Sequence, residues 1–388
     1  MISHTSPPSA LAALTLLAIA CLTIMVGCVI VPGLPKIAEE LGIDHGIGLL
    51  VTLPALGVVL FGPIAGRLVD RCGLYNSLMA GLIAYGALGM AGAAIHGPWA
   101  VYTDRLCLGA ATAVIMSSGT GLISALYTGS ARLTMIARQG MSIELGGVVF
   151  LFIGGLLATI GWAWPFLLYL VAWIFAAMLF CFVPRLQHSP QESDDEGSRD
   201  AAVPRSLKIV FTAAVMSMLC FFTGIILLPI ALRELGLNEA QTGYFLSFIS
   251  LIAVGAAAMM PRFVNKIGEH RTIAIAFACY TVAHVIFAIG DGLSIYLAGA
   301  VALGAGFGLS VPLVNHMTIE QSHSQLRGRN LAYLSMAIFF GQFISAGMEL
   351  IPGNPEIIFS SAAALGLVSA VLLLAGHQQQ RADVNQET

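Results

Sequence analysis

The chain has 388 residues, 58% hydrophobic and only 10% charged, with a mean hydropathy of +0.89. A soluble domain carries about 25% charged residues, so this chain lacks the polar surface that a soluble protein of its length needs. Lys and Arg number 17 against 20 Asp and Glu, a net charge of -3, which excludes the basic footprint of a nucleic-acid-binding protein.

Twelve apolar stretches follow one another, at about 11–31, 47–66, 76–95, 100–123, 139–160, 164–184, 207–229, 241–261, 272–290, 293–316, 331–350 and 356–376. Each is close to the roughly 20 residues that cross about 30 Å of hydrocarbon as a helix. Lipid does not tolerate unpaired strand edges, and the alternation of barrel strands is absent, so the spans are predicted to be helices. The run at 11–31 is too long for a signal peptide and no Lys or Arg precedes it, so it is read as the first span.

After the second span the chain reads Gly62-Pro63-Ile64-Ala65-Gly66-Arg67-Leu68-Val69-Asp70-Arg71-Cys72-Gly73, read as a loop. Small residues here let helices approach closely, and Asp70 can pair with a basic group or a helix N-terminus. The fourth span carries Asp104 and Arg105, with Gly109 following. An arginine in hydrocarbon costs at least roughly 2.5 kcal/mol and calls for a partner or a water-filled cavity. Adjacent helical residues point about 100° apart, so position alone does not make Asp104 that partner. In the fifth span, Glu144 is the only Glu well inside a span, and an intramembrane carboxylate is a candidate for binding a proton or a cationic substrate.

The interval 185–206 holds Gln191-Glu192-Ser193-Asp194-Asp195-Glu196 and is expected to be a solvated linker between six spans and six. Beyond it, His284, Asn315, His316 and Gln342 are weaker polar candidates, since a lone intramembrane polar group commonly bonds a neighbouring helix. Of these, His284 and Gln342 join Glu144, Arg105 and Asp104 as candidate proton- or substrate-binding residues. The polar end, 377–388, is expected to be a tail without fixed structure. The predicted domains are thus a six-helix bundle over 1–184, the linker, a second bundle over 207–376, and that tail.

With the N-terminus placed in the cytoplasm, fourteen of the 17 Lys and Arg collect on the cytoplasmic side. Only Lys36 and Arg233 fall outside, and Arg105 lies within a span. By the positive-inside rule, both termini are expected in the cytoplasm. The halves also repeat. Pro35 through Gly42 faces Pro229 through Gly236 at an offset of 194, while Arg67, Asp70, Arg71 and Gly73 face Arg262, Asn265, Lys266 and Gly268 at 195. Tyr102 and Gly109 face Tyr296 and Gly304 at 194 and 195. Parallel six-helix repeats are a signature of secondary transporters.

The stretch Gly66 to Gly73 resembles the loop signature of the major facilitator superfamily, G-x-x-x-D-R/K-x-G. That resemblance implies a twelve-helix fold of two bundles rocking around a midplane site. Gly66, Arg67, Asp70, Arg71 and Gly73 would then form a latch between the halves. The chain has Leu74 and Tyr75 where the family usually has Arg or Lys, so a weaker latch is expected. Arg105 with Gly109 resembles the fourth-helix motif of proton-coupled members. Glu144 through Phe166 is similar to the fifth-helix region of antiporters, with Phe150 and Leu151 at its usual Gly-Pro. Together with Val31-Pro32-Gly33-Leu34-Pro35, these point to the drug:proton antiporter group.

The resemblance implies export of a small amphipathic molecule, a drug or a secreted metabolite such as a siderophore, in exchange for protons across a cell inner membrane. Glu144 would carry the proton and Arg105 would modulate it. Import of a sugar or organic acid is the alternative, and a non-transporting sensor or scaffold is an alternative of another class. The expected partners are the substrate, protons and the lipid bilayer, with no nucleic acid, and the protein is expected to be a monomer. No catalytic, cofactor or metal motif is present. The chain has no P-loop, no H-E-x-x-H and no C-x-x-C among its seven cysteines, so neither a zinc site nor a disulfide framework is expected.

Overall fold

A computed structural model describes residues 9–185, 202–323 and 325–387. The chain divides into two compact units, Met1–Glu192 and Ser193–Thr388. In the first unit, α1 (Ala10–Cys28) opens with the Ser9 hydroxyl accepting the Ala12 N–H at 3.1 Å. It passes through a single 3-10 turn into α2 (Leu34–Glu40). Then come α3 (Leu49–Cys72), α4 (Leu74–Ala91), α5 (Pro98–Leu126), α6 (Gly129–Ile160), a 3-10 segment at Trp164–Leu170, and α7 (Val171–Phe182). The second unit holds α8 (Arg205–Glu234), α9 (Glu239–Ile267), α10 (Glu269–Ile289), α11 (Leu293–Glu320), α12 (Arg327–Ser345) and α13 (Pro355–Glu387).

Among the described residues, twelve helices are long and apolar enough to cross a membrane and no strand occurs. The protein is an all-α, multi-pass membrane protein of two six-helix units. Leu60, Ile83, Ile174, Leu251, Leu367 and Val368 stand exposed, as lipid-facing side chains do. Pro54 and Pro63 lie inside α3, Pro229 inside α8, Pro261 inside α9 and Pro312 inside α11. Membrane helices tolerate such prolines because neighbouring groups satisfy the freed carbonyls.

The repeat holds in three dimensions. Gly73 (φ 82, ψ 156) ends α3 and Gly268 (φ 86, ψ 164) ends α9, and each donates its N–H at 2.8 Å, to Val69 and Val264 respectively. This left-handed backbone is easy only for glycine. At Gly109 a side chain would run into the carbonyl of Pro54, and at Gly304 into that of Ile249, so α5 crosses α3 as α11 crosses α9. Gly146 meets Cys21 as Gly341 meets Val215, so α6 packs on α1 as α12 packs on α8. Such close crossings drive helix association where there is no hydrophobic effect to do so.

Three sequence expectations change. Residues 62–72 are not a loop: α3 continues through them to Cys72, and only Gly73 breaks it. Tyr102 and Tyr296 are not counterparts, because each lies on one unbroken helix with its glycine, seven residues before Gly109 but eight before Gly304. The expected unstructured tail is helical to Glu387, as α13 continues through Gln378-Gln379-Gln380-Arg381-Ala382, which are all good helix formers. Of the expected linker, residues 186–201 lie outside the described residues.

Candidate functional site

Arg105 neither snorkels nor stays alone. Its side chain is 1% exposed, and its Nη2 and Nε donate to Asp104 Oδ2 at 2.8 and 3.2 Å. Arg105 Nη1 lies 3.4 Å from Tyr169 Oη, and the guanidinium carbon sits 5.4 and 5.6 Å from the ring centroids of Phe166 and Tyr169. Gly92 makes room for it, since a side chain there would strike Nη2. Tyr169 donates to Val26 at 3.2 Å, and Tyr85, whose ring lies 5.6 Å from that of Tyr169, donates to Leu22 at 2.7 Å. The charge is therefore stacked between aromatic rings and fastened to α1. Asp104 Oδ1 is buried with no hydrogen-bond partner. A single carboxylate oxygen thus carries the whole pair.

Glu144 sits half-buried on α6 and takes part in no side-chain hydrogen bond or ion pair shown among the described residues. The turn before it is fixed to α1 by Cys21 Sγ donating to the Ser142 carbonyl at 3.0 Å. Arg105 and Glu144 make no direct bond among the described residues, but both lie beside α1, the first through Tyr169 on Val26 and the second through its neighbour Ser142 on Cys21.

In the second unit, His284 is fully buried, with Nδ1 donating to the Tyr280 carbonyl at 3.0 Å. The Phe287 and Phe359 rings lie 6.3 and 5.9 Å away. Gln342 is buried on α12 at 6% exposure. Sequence reading missed the closed polar triangle one turn before His284. Ser217, Tyr280 and Ser310 hold their hydroxyls 2.7 to 3.0 Å apart, from three different helices. Only the match of Tyr85 with Tyr280 at offset 195 signalled it, since both buried tyrosines reach toward the first helix of their unit. At that offset Asp104, Arg105 and Glu144 face Gly299, Ala300 and Phe339. The first unit alone carries these ionisable groups.

Gly66, Arg67, Asp70 and Arg71 occupy the last turns of α3, with Arg67, Asp70 and Arg71 exposed and making no ion pair among the described residues. In the second unit, His316 Nε2 lies 3.3 Å from Glu269 Oε1, and both are partly exposed. Among the described residues no group of His, Cys, Asp and Glu is placed to hold a metal ion.

Two six-helix units repeating one packing plan, with ionisable groups buried at membrane depth, define a polytopic membrane protein built as a duplicated bundle. The sequence profile of the Major Facilitator Superfamily matches residues 15–346, and the chain belongs to that superfamily of membrane transporters. Quinolone resistance protein NorA of Staphylococcus aureus (strain MRSA252) is 23% identical over 385 residues, covering 92% of this chain and 94% of that protein. The uncharacterized transporter YycB of Bacillus subtilis (strain 168) is 22% identical, covering 81% and 79%. Among solved structures, the nucleoside transporter NupG superposes with a TM-score of 0.78 at 12% identity, covering 94% of this chain and 99% of that one. A D-xylose-proton symporter does so at 0.73 and 14%, covering 94% and 97%.

Proposed function

We propose that this protein exports a small amphipathic molecule, a drug or a secreted metabolite, across the cell inner membrane in exchange for protons. Both termini lie in the cytoplasm, the side that collects the basic residues, and the working unit is a monomer. The observation that carries the reading is Glu144, an ionisable group at membrane depth that no side-chain hydrogen bond or ion pair among the described residues occupies. A carboxyl in that state can take a proton or a cationic substrate, one excluding the other. Likeness to a quinolone resistance protein over nearly the whole chain supports export.

In this reading Glu144 exchanges the proton. Arg105 and Asp104 set the electrostatic field of the first unit, while Gln342 and His284 offer hydrogen bonds from the second. Gly66, Arg67, Asp70, Arg71 and Gly73 form the end of α3 that latches and releases as access alternates. Each entering proton supplies about 2.3 kcal/mol per 100 mV and about 1.4 kcal/mol per pH unit. The test is substrate-driven proton movement in proteoliposomes, with lipophilic cations and fluoroquinolones as probes. Wild type moves protons and Glu144→Gln does not. Undiminished coupling in the variant removes Glu144 from the mechanism.

A further inference from the structure

The two pseudo-equivalent turns differ in where they keep their positive charge. Both are closed the same way, by a left-handed glycine that donates to the residue four before it. Both accept a following N–H at 3.1 Å, from Ser77 onto Gly73 and from Thr272 onto Gly268. After Gly268 the second turn runs Glu269-His270-Arg271, so it carries a cation on its own chain. After Gly73 the first turn runs Leu74-Tyr75-Asn76 and has none.

A cation nevertheless reaches the first turn from elsewhere. The guanidinium carbon of Arg185, just past the end of α7, lies 5.4 Å from the Tyr75 ring centroid and 5.5 Å from that of Phe180. The same two elements are tied by Tyr75 Oη donating to the Leu179 carbonyl at 3.4 Å. Tyr75 is buried, so its ring is a fixed platform, and on the other flank Asn76 Nδ2 donates back to Cys72 at 3.1 Å. An arginine stacked on a tyrosine face is attracted by the ring quadrupole.

We propose that Arg185 is a positioning residue of the α3–α4 turn: it supplies from just past the end of α7 the cation that the second repeat carries as Arg271, and so clamps the turn that presents Asp70. This rests on the reading of that turn as a working part of the transport cycle. It adds to it a residue more than 100 positions away in sequence.

Hydrogen exchange of the purified full-length protein, read by mass spectrometry, tests the clamp without needing a known substrate. Amides protected in the Val69–Ser77 turn exchange about two- to fivefold faster in Arg185→Gln, the effect expected from losing a cation–π contact. The Val264–Thr272 turn is unchanged and serves as the internal control. Arg185→Lys restores part of the protection. Asn76→Arg in the Arg185→Gln background restores it too, since it puts a cation at the position of Arg271 and keeps an N–H donor there. Unchanged exchange in Arg185→Gln overturns the proposal, as does failure of Asn76→Arg to restore protection. The role of the turn in transport is read separately, from flux in Asp70→Asn, so the two can fail independently.

Discussion

Arg105 and Asp104 place opposite charges 2.8 Å apart with side chains 1% and 4% exposed, and one carboxylate oxygen of the pair is left unbonded. Buried pairs are strongly destabilised when one partner is removed, because the other stays behind as an uncompensated charge. Arg105→Ala is therefore expected to lose about 3–5 kcal/mol. The double variant Asp104→Asn with Arg105→Gln should recover most of that loss. Thermal unfolding of the detergent-purified proteins measures both, and a double variant no better than Arg105→Ala would show that the charge balance is not what matters. The arginine was visible in the sequence as a costly residue inside a span. Its surroundings were not, because Tyr169 is 64 positions away and reads, letter by letter, as one more aromatic in an apolar run. The hydroxyl triangle of Ser217, Tyr280 and Ser310 escaped for the same reason, as its members come from α8, α10 and α11.

Among the elements, the helices were legible because hydrocarbon allows the backbone no other open-ended solution. Their ends were less so. The signature Gly66 to Gly73 was expected to be a loop, yet it is the end of α3, since an isolated glycine or proline does not stop a membrane helix while a left-handed Gly73 does. Helix crossings give the sharpest prediction at this scale. At Gly109 a methyl group would meet the Pro54 backbone, which cannot step aside, whereas Gly119 on the same helix has open space around it. Gly109→Ala is expected to destabilise by about 1–3 kcal/mol through forced separation of α3 and α5. Gly119→Ala is expected to be neutral or to stabilise by about 0.5–1 kcal/mol, as alanine is the better helix former. Unfolding midpoints of the two variants compared with wild type decide it, and equal losses at both sites would refute the crossing.

For the whole molecule, the proposed orientation places the exposed, free Cys72 at the cytoplasmic end of α3. A membrane-impermeant maleimide should therefore modify Cys72 in inside-out vesicles and not in intact spheroplasts, as read by peptide mass spectrometry. Labelling in spheroplasts would reverse the topology and with it the direction assigned to proton entry. The sequence by itself determined the class of protein, the number of crossings and the duplication. Each of these follows from summed hydropathy, from the distribution of charge and from the spacing of glycines along one chain. Only the tertiary structure decided which polar groups are satisfied. It closed Arg105 onto Asp104 and Tyr169, buried His284 among phenylalanines, and left Glu144 outside any side-chain hydrogen bond or ion pair among the described residues. The physical reason is that membrane insertion is governed by each segment's own transfer free energy, whereas a polar side chain inside the bilayer is governed by what neighbouring helices bring within about 3 Å of it.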